Sequence, residues 1–476
     1  MAWYEFSLKI TEKKMTKIKP SVPTDARLGE IRRKVFLQTF GCQMNVYDSE
    51  KLKGTLLSSG YSLTDDEKKA DVIVLNTCSV RERAERRALG RLSDLSRYKS
   101  VNSKLTLVVV GCMAQRMGED LLKRVPQLDL ILGPDQIFQL PQYLQNHTCS
   151  ERSEFIKKAK VLVSPSRESF SCEVFKEEEL PQRKYKHTAF VAISRGCDNF
   201  CSYCVVPYVR GPERHRPISQ ILKEVQLLAE SGCQEVTLIG QNVNSYKYES
   251  YDFSDLLQMV NNETKIEWIR FMTSHPKDLS EKLIDKMGSL PKLCEHLHLP
   301  LQSGSDRILQ MMNRGYSSND YLKLVEEVKS RIENLSLTTD LIVGFPSETD
   351  EDYKQTLKMV EKIEFDSAFM FRYSVREETK AASFSDDVPE KTKLERLYAL
   401  IELQKQISKR KNQGMIGKTL EVLVDDVSRK EKNKLKGKTR TNKTVVFQGE
   451  ENILGTIVPI KIFDADSFTH FGKLEE

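Results

Sequence analysis

Three cysteines fall within one short stretch, Gly196-Cys197-Asp198-Asn199-Phe200-Cys201-Ser202-Tyr203-Cys204, directly after the apolar run Ala189-Phe190-Val191-Ala192-Ile193. Such a run reads as a buried strand, so the fold must place all three thiols in the one loop that follows it. A structural zinc site needs four ligands, usually from paired CxxC knuckles. This loop offers three, and no histidine or further cysteine follows before His215. Three soft thiolates suit an iron–sulfur cube with one iron left open to another ligand. A degenerate zinc site and a chance cluster are the other readings of the spacing.

A second set of cysteines is spread along the N-terminal part. Val35-Phe36-Leu37, Asp71–Leu75 and Leu105–Val110 read as buried strands, with a helix from about Ser49 to Gly60 and a charged one through Arg86 and Arg87. Apolar strands alternating with helices imply a parallel α/β sheet. Cys42, Cys78 and Cys112 each lie just beyond the carboxyl end of one of these strands. In an open parallel sheet those loops share one edge, where ligands collect. The expectation is a second three-thiol site, assembled by folding; small buried cysteines are the ordinary alternative.

The chain's 476 residues allow two or three domains. Residues 1–32 read as a flexible tail, 33–145 as the N-terminal α/β domain and 146–187 as a charged linker holding Cys149 and Cys172. Within 188–412, strands are expected at Phe190–Ser194, Val236–Gly240, Trp268–Met272, His296–Pro300, Thr338–Gly344 and Ala368–Tyr373. The helix Ser219–Ser231 presents Ile221, Val225, Leu228 and Ala229 on one face and stops at Gly232. Six strands with helices between them predict a partial (β/α)6 barrel, whose chemistry belongs in the loops after the strands. Residues 413–476 read as a small antiparallel β barrel, with strands at 420–424, 444–447 and 453–458. Arg429, Lys430, Lys432, Lys434, Lys436, Lys438, Arg440 and Lys443 stand between the first two strands, and within that run of 429–443 only Glu431 is acidic. A charge run is usually a solvated loop; on a small β barrel it also suits contact with nucleic-acid phosphates.

The net charge of +6 permits a nucleic-acid partner without requiring one. Met1–Lys19 lacks the apolar core of a signal peptide, and no run is long enough for a membrane span, so a cytoplasmic protein without a membrane partner is expected. Ten cysteines in that setting point to metal ligands and free thiols rather than disulfides. Cys233 and Cys294 are expected to pack as small hydrophobes.

Taken together, these features resemble the radical S-adenosylmethionine (SAM) enzymes, and within them the MiaB-type tRNA methylthiotransferases. The resemblance rests on the CxxxCxxC loop, on Gln38-Thr39-Phe40-Gly41-Cys42-Gln43-Met44-Asn45 and on Cys204-Val205-Val206-Pro207-Tyr208-Val209-Arg210-Gly211. His298-Leu299-Pro300-Leu301-Gln302-Ser303-Gly304-Ser305 and Asp340-Leu341-Ile342-Val343-Gly344-Phe345-Pro346 extend it. The last segment is similar to a TRAM domain, an RNA-binding β barrel. Arg195, where an acidic residue is usual, and His215, where a serine is common, depart from the pattern without removing a ligand.

The resemblance implies two 4Fe–4S clusters. Cys197, Cys201 and Cys204 would hold the one that binds SAM; Cys42, Cys78 and Cys112 would hold an auxiliary cluster carrying the sulfur to be transferred. SAM would serve as both methyl donor and radical source. Tyr203, Gln241, Asp340 and Ile342 are the implied SAM contacts. Lys430, Lys432, Lys434, Lys436, Lys438, Arg440 and Lys443 are the expected RNA contacts. The implied substrate is a tRNA anticodon stem-loop carrying N6-isopentenyladenosine, whose C2–H is replaced by C2–SCH3. An external electron donor of the flavodoxin or ferredoxin class is also implied. A purine C2–H is neither acidic nor activated, so acid–base catalysis alone does not reach it. Sister enzymes acting on threonylcarbamoyl-adenosine or on a ribosomal-protein aspartate, and a non-catalytic metal-binding RNA-binding protein, are the alternatives.

Overall fold

The N-terminal sheet is parallel, and its three central strands are buried on both faces, as the crossover helices of such a sheet require. Its strands are β1 (Lys34–Thr39), β2 (Ser62–Leu63), β3 (Val72–Thr77), β4 (Thr106–Gly111), β5 (Leu130–Leu132) and β6 (Lys160–Leu162). They lie in the order β2-β1-β3-β4-β5-β6, every pair parallel. Val72 and Val74 face one apolar layer with Leu52 and Leu56; Ile73 and Leu75 face the other with Ala88, Leu92 and Leu95. The computed structural model describes residues 33–146, 160–170, 181–183, 185–428 and 434–475. The tail 1–32, Cys149, Cys172, Lys430 and Lys432 lie outside them. The chain divides into two units, Met1–Val174 and Phe175–Glu476.

Four elements differ from expectation. The first helix runs from Gln43 to Ser58, so Cys42, rather than Ser49, caps it. Its first turns carry Asn45, Asp48 and Ser49, polar yet buried, which hides the helical pattern. Leu130–Leu132 and Ser62–Leu63 are too short to stand out. Lys160–Leu162, expected within the linker, pairs with Leu130–Leu132, so the sheet continues past residue 145.

In the second unit all six expected barrel strands form: β7 (Thr188–Ala192), β10 (Glu235–Ile239), β13 (Trp268–Phe271), β14 (His296–His298), β15 (Ser336–Val343) and β16 (Ser367–Arg372). Two short ribbons interrupt them, β8 (Ser194–Arg195) with β9 (Arg214–His215), and β11 (Lys247–Tyr248) with β12 (Tyr251–Asp252). The strands form two parallel triplets, joined where Leu293 bridges Ile269. Val191, Val236, Leu238, Ile269, Leu297, Leu337 and Leu341 pack into one core with Ile221, Val225 and Leu228 of the helix Ile218–Glu230. By strand alternation, Glu235, Thr237, Arg270, His296, His298, Thr338 and Asp340 fall on the lumen side.

The closing barrel joins β17 (Thr419–Val427), β18 (Lys434–Thr439), β19 (Thr444–Gln448), β20 (Ile457–Ala465) and β21 (Thr469–Leu474) in the order β17-β18-β19-β21-β20. It is not wholly antiparallel, because β19 and β21 pair in parallel to close it. The basic run supplies strand β18: Leu435, Gly437 and Thr439 are buried, while Lys434, Lys436 and Lys438 alternate with them. Residues 451–453 form a helical turn, and β20 starts only at Ile457.

Candidate metal centres

The loop after β7 is shaped by contacts from distant segments. Gly196 N–H donates to Gln241 Oε1 at 2.6 Å and Cys197 N–H to the Gly211 carbonyl at 3.2 Å. Ser202 N–H donates to the Met312 carbonyl at 3.0 Å, and Ala381 N–H to the Ser202 carbonyl at 2.7 Å. Asn313 Nδ2 donates to the Phe200 carbonyl at 3.1 Å, holding Phe200 at a positive φ of 46°. Gly196 has φ +81°, and a side-chain carbon there would sit 1.9 Å from the Pro212 carbonyl oxygen. No other residue fits that approach. Cys197 and Cys201 are buried, and Cys204 is half-buried. The three thiols lie close enough to act on one another's charge. Burial pushes Cys197 up to about 11 and Cys204 higher still, so a metal ion binding here must displace protons. Arg314 Nη1 donates to Cys201 Sγ at 3.3 Å.

The mouth beside this loop has the character of a polar ligand's seat. Ser194 Oγ, Ser274 Oγ and Gln302 Oε1, all near strand ends, are buried without a hydrogen-bond partner. Unpaired buried polar atoms are costly and call for an outside partner. Tyr203 and Ile342 pack against Ile308, Met312, Phe345 and Tyr373, forming an apolar patch. Asp340 Oδ1 lies 3.5 Å from His298 Nε2, whose Nδ1 is 3.0 Å from Thr338 Oγ1. Gln241 pins the cysteine loop through its carbonyl oxygen. Neither the three orphaned atoms nor Arg314 was anticipated; Asn313-Arg314-Gly315, directly after a helix, was the available signal.

The second triplet sits at the carboxyl ends of β1, β3 and β4, which are neighbours in the sheet. The chain leaves β1 for β2 on one side and returns to β3 on the other, and ligands bind in open sheets at such a switch point. Gly41 (φ +141°) lets the first loop pass Cys78: a side-chain carbon there would meet Cys78 Cβ at 2.6 Å. Cys78 hydrogen-bonds Cys42 and feels the charge of both Cys42 and Cys112; with burial, this raises its thiol far above the usual range. Asn45 Oδ1 accepts from the Cys42 N–H at 3.3 Å, while its Nδ2 donates to Asn76 Oδ1 at 3.0 Å and the Thr77 carbonyl at 3.2 Å. On the other side Arg116 donates to Ser79 Oγ at 3.2 Å and to Glu85 Oε1 at 2.5 Å. Side chains therefore tie the Cys42 loop to β3, and the Cys112 helix to the Cys78 loop. Among the described residues no three His, Cys, Asp or Glu side chains are drawn together tightly enough for a single ion. A polynuclear cluster instead spreads its ligands over several irons.

The cations of 434–443 do not form one surface. Arg440 donates to both carboxylate oxygens of Glu295, at 2.6–3.1 Å, and to the Leu293 carbonyl at 2.8 Å. Lys443 pairs with Asp366 at 2.8 Å. Arg270, buried, donates to Glu235 at 2.7 Å and to the Thr439 carbonyl at 2.7 Å. Glu235, Glu295 and Asp366 lie at or just before the starts of barrel strands, so the β18–β19 turn closes the lumen's amino-terminal end. Lys438 is pushed down to about 8 by burial and donates to Thr444 Oγ1 at 2.9 Å. Arg440, Lys443 and Lys438 are thus committed inside the protein. Lys434 and Lys436 remain half-exposed, Lys436 lying 3.9 Å from Asp425 and Asp426.

Residues 34–133 match the uncharacterized protein family UPF0004, 191–360 the radical SAM superfamily and 413–474 the TRAM domain. A tRNA-2-methylthio-N(6)-dimethylallyladenosine synthase of Clostridium botulinum (strain Hall) is 45% identical over 444 residues, covering 92% of this chain and 96% of that protein. The chain belongs to the tRNA-2-methylthio-N(6)-dimethylallyladenosine synthase family. Synthases of the same name from Thermoanaerobacter sp. (strain X514), 44% identical, and Alkaliphilus oremlandii, 43% identical, match 92% and 93% of this chain and the same shares of their own. The fold is also that of the radical SAM methyltransferase TsrM from Kitasatospora setae, solved with cobalamin and a [4Fe-4S] cluster (TM-score 0.56, 14% identical, 74% of this chain and 77% of that one). SAM and 4Fe–4S clusters are the cofactors of this synthase family. The two thiol sets fit such clusters in donor chemistry, and the orphaned polar atoms beside the first fit a polar cofactor. Among the described residues no helix is long and apolar enough to cross a membrane.

Proposed function

We propose that this chain replaces C2–H by C2–SCH3 on N6-isopentenyladenosine beside a tRNA anticodon. The observation that carries the reading is the meeting of Cys42, Cys78 and Cys112 at one sheet edge, in a chain that has a separate CxxxCxxC site. Cys197, Cys201 and Cys204 would hold the SAM-binding cluster, and the N-terminal triplet the auxiliary one. When bound, the clusters would relay the external donor's electron and carry the sulfur, and SAM would supply the methyl group, none of which the residues themselves can provide. Ser194, Ser274 and Gln302 offer hydrogen bonds to SAM's polar groups. Tyr203 and Ile342 provide an apolar wall that keeps water from the reacting atoms, while His298 holds Asp340 at the mouth. The target base must leave the anticodon-loop stack to react. An external one-electron donor of the flavodoxin or ferredoxin class completes the reaction, and we place it in the cytoplasm.

Anaerobic turnover with SAM, a reductant and isopentenylated tRNA, followed by nucleoside mass spectrometry, tests the reading. Methylthiolated isopentenyladenosine is expected; product only from threonylcarbamoylated tRNA would overturn it. For RNA contact, Lys434→Gln with Lys436→Gln should weaken tRNA binding and lower the salt slope by about 1–2. Arg440→Gln should instead lower thermal stability.

A further inference from the structure

Arg314 is 4% exposed and stands in the turn after the helix Asp306–Met311. All three arms of its guanidinium are engaged. Nε donates to the Tyr316 hydroxyl at 2.9 Å, Nη2 to the Pro300 carbonyl at 2.9 Å and Nη1 to Cys201 Sγ at 3.3 Å. Tyr203, Tyr316 and His275 surround it. None of the three acceptors is a carboxylate, although a buried cation needs an anion to balance it. At neutral pH, Cys201 bound to metal is the acceptor among them that carries negative charge. A four-iron cluster on three thiolates is anionic, and becomes more so on gaining an electron.

We propose that Arg314 is a positioning residue that aims the Cys201 sulfur and sets the reduction potential of the cluster held by Cys197, Cys201 and Cys204. This rests on the reading that those three cysteines are its ligands. The step concerned is uptake of one electron from the external donor, with no bond broken. In a water-poor site, a fixed positive charge and an N–H···S bond favour the reduced cluster over the oxidised one. The Pro300 carbonyl also accepts from the Tyr316 hydroxyl at 3.2 Å, so removing the guanidinium leaves that oxygen a partner.

The test uses the full chain carrying Cys42→Ala, Cys78→Ala and Cys112→Ala, loaded anaerobically with iron and sulfide so that one cluster is read. Its midpoint potential is measured by EPR-monitored redox titration. Arg314→Gln should lower the reduced-to-oxidised ratio at fixed potential at least tenfold, a 59 mV negative shift for one electron. Arg314→Lys keeps the charge but not the fork, and should stay within about threefold of the parent. If Arg314→Gln takes up no iron while Arg314→Lys loads with the parent's midpoint, the need for a charge at the cluster still stands. A fully loaded Arg314→Gln with an unchanged midpoint overturns the proposal. So does failure of both variants to load. A parent that takes up no iron overturns the ligand reading itself, and the proposal with it.

Discussion

The two thiol triplets are chemically alike and are built in opposite ways. Cys197, Cys201 and Cys204 are neighbours in sequence, yet their loop takes its shape from Gln241, Met312, Asn313 and Arg314, far along the chain. Cys42, Cys78 and Cys112 are far apart in sequence, yet their loops brace one another through Asn45, Asn76, Arg116 and Ser79. A local motif therefore depends on distant residues for its conformation. A dispersed one depends on strand adjacency and on the residues beside its own ligands.

The largest effects test whether the sites are separate. Cys201→Ala should remove about four of about eight irons and abolish reductive SAM cleavage. Cys78→Ala should remove a similar share and abolish methylthiolation while leaving reductive SAM cleavage. If Cys78→Ala empties both sites, the division fails. Arg116→Met comes next, because it removes the cation paired with Glu85, a carboxylate only 12% exposed that keeps just the Ser79 hydroxyl among its named side-chain partners. It should cost about 3 kcal/mol in denaturant unfolding of the N-terminal unit and should not change the EPR signal of the CxxxCxxC cluster. Asn45→Ala removes the amide link between the Cys42 loop and β3. It should weaken iron loading of the auxiliary site about tenfold at unchanged fold, read by iron content against added chelator. Asn313→Ala is the counterpart in the other site. Losing one brace on the Phe200 carbonyl should cost about 1 kcal/mol and broaden the CxxxCxxC cluster's EPR signal alone. Equal effects of Asn45→Ala and Asn313→Ala at both sites would erase the contrast.

Much of the strand placement along the chain was legible because buried parallel strands are continuous apolar runs bounded by polar loops. All six barrel strands were found this way, and so was the placement of the cysteines at strand ends. Lys160–Leu162 was not, because an edge strand of three residues carries little pattern of its own. The first helix was mis-started at Ser49, because its opening turns bury polar side chains against the sheet edge. Strand β18 was read as a charged stretch, although Lys-Leu-Lys-Gly-Lys-Thr alternates with the period of a strand. The period is carried by Leu435, Gly437 and Thr439, of which only the first is a strong apolar signal.

The sequence alone determined the inventory of candidate thiol ligands and the class of fold, since thiols and apolar periodicity are properties of the chain. Only the tertiary structure decided what the cations do. Arg440 and Lys443 pair with Glu295 and Asp366 instead of remaining free for phosphate. Arg314 reaches a cysteine more than a hundred residues earlier in the chain. A charge acts through distance and burial, and neither is fixed until the segments that carry the partners have packed together.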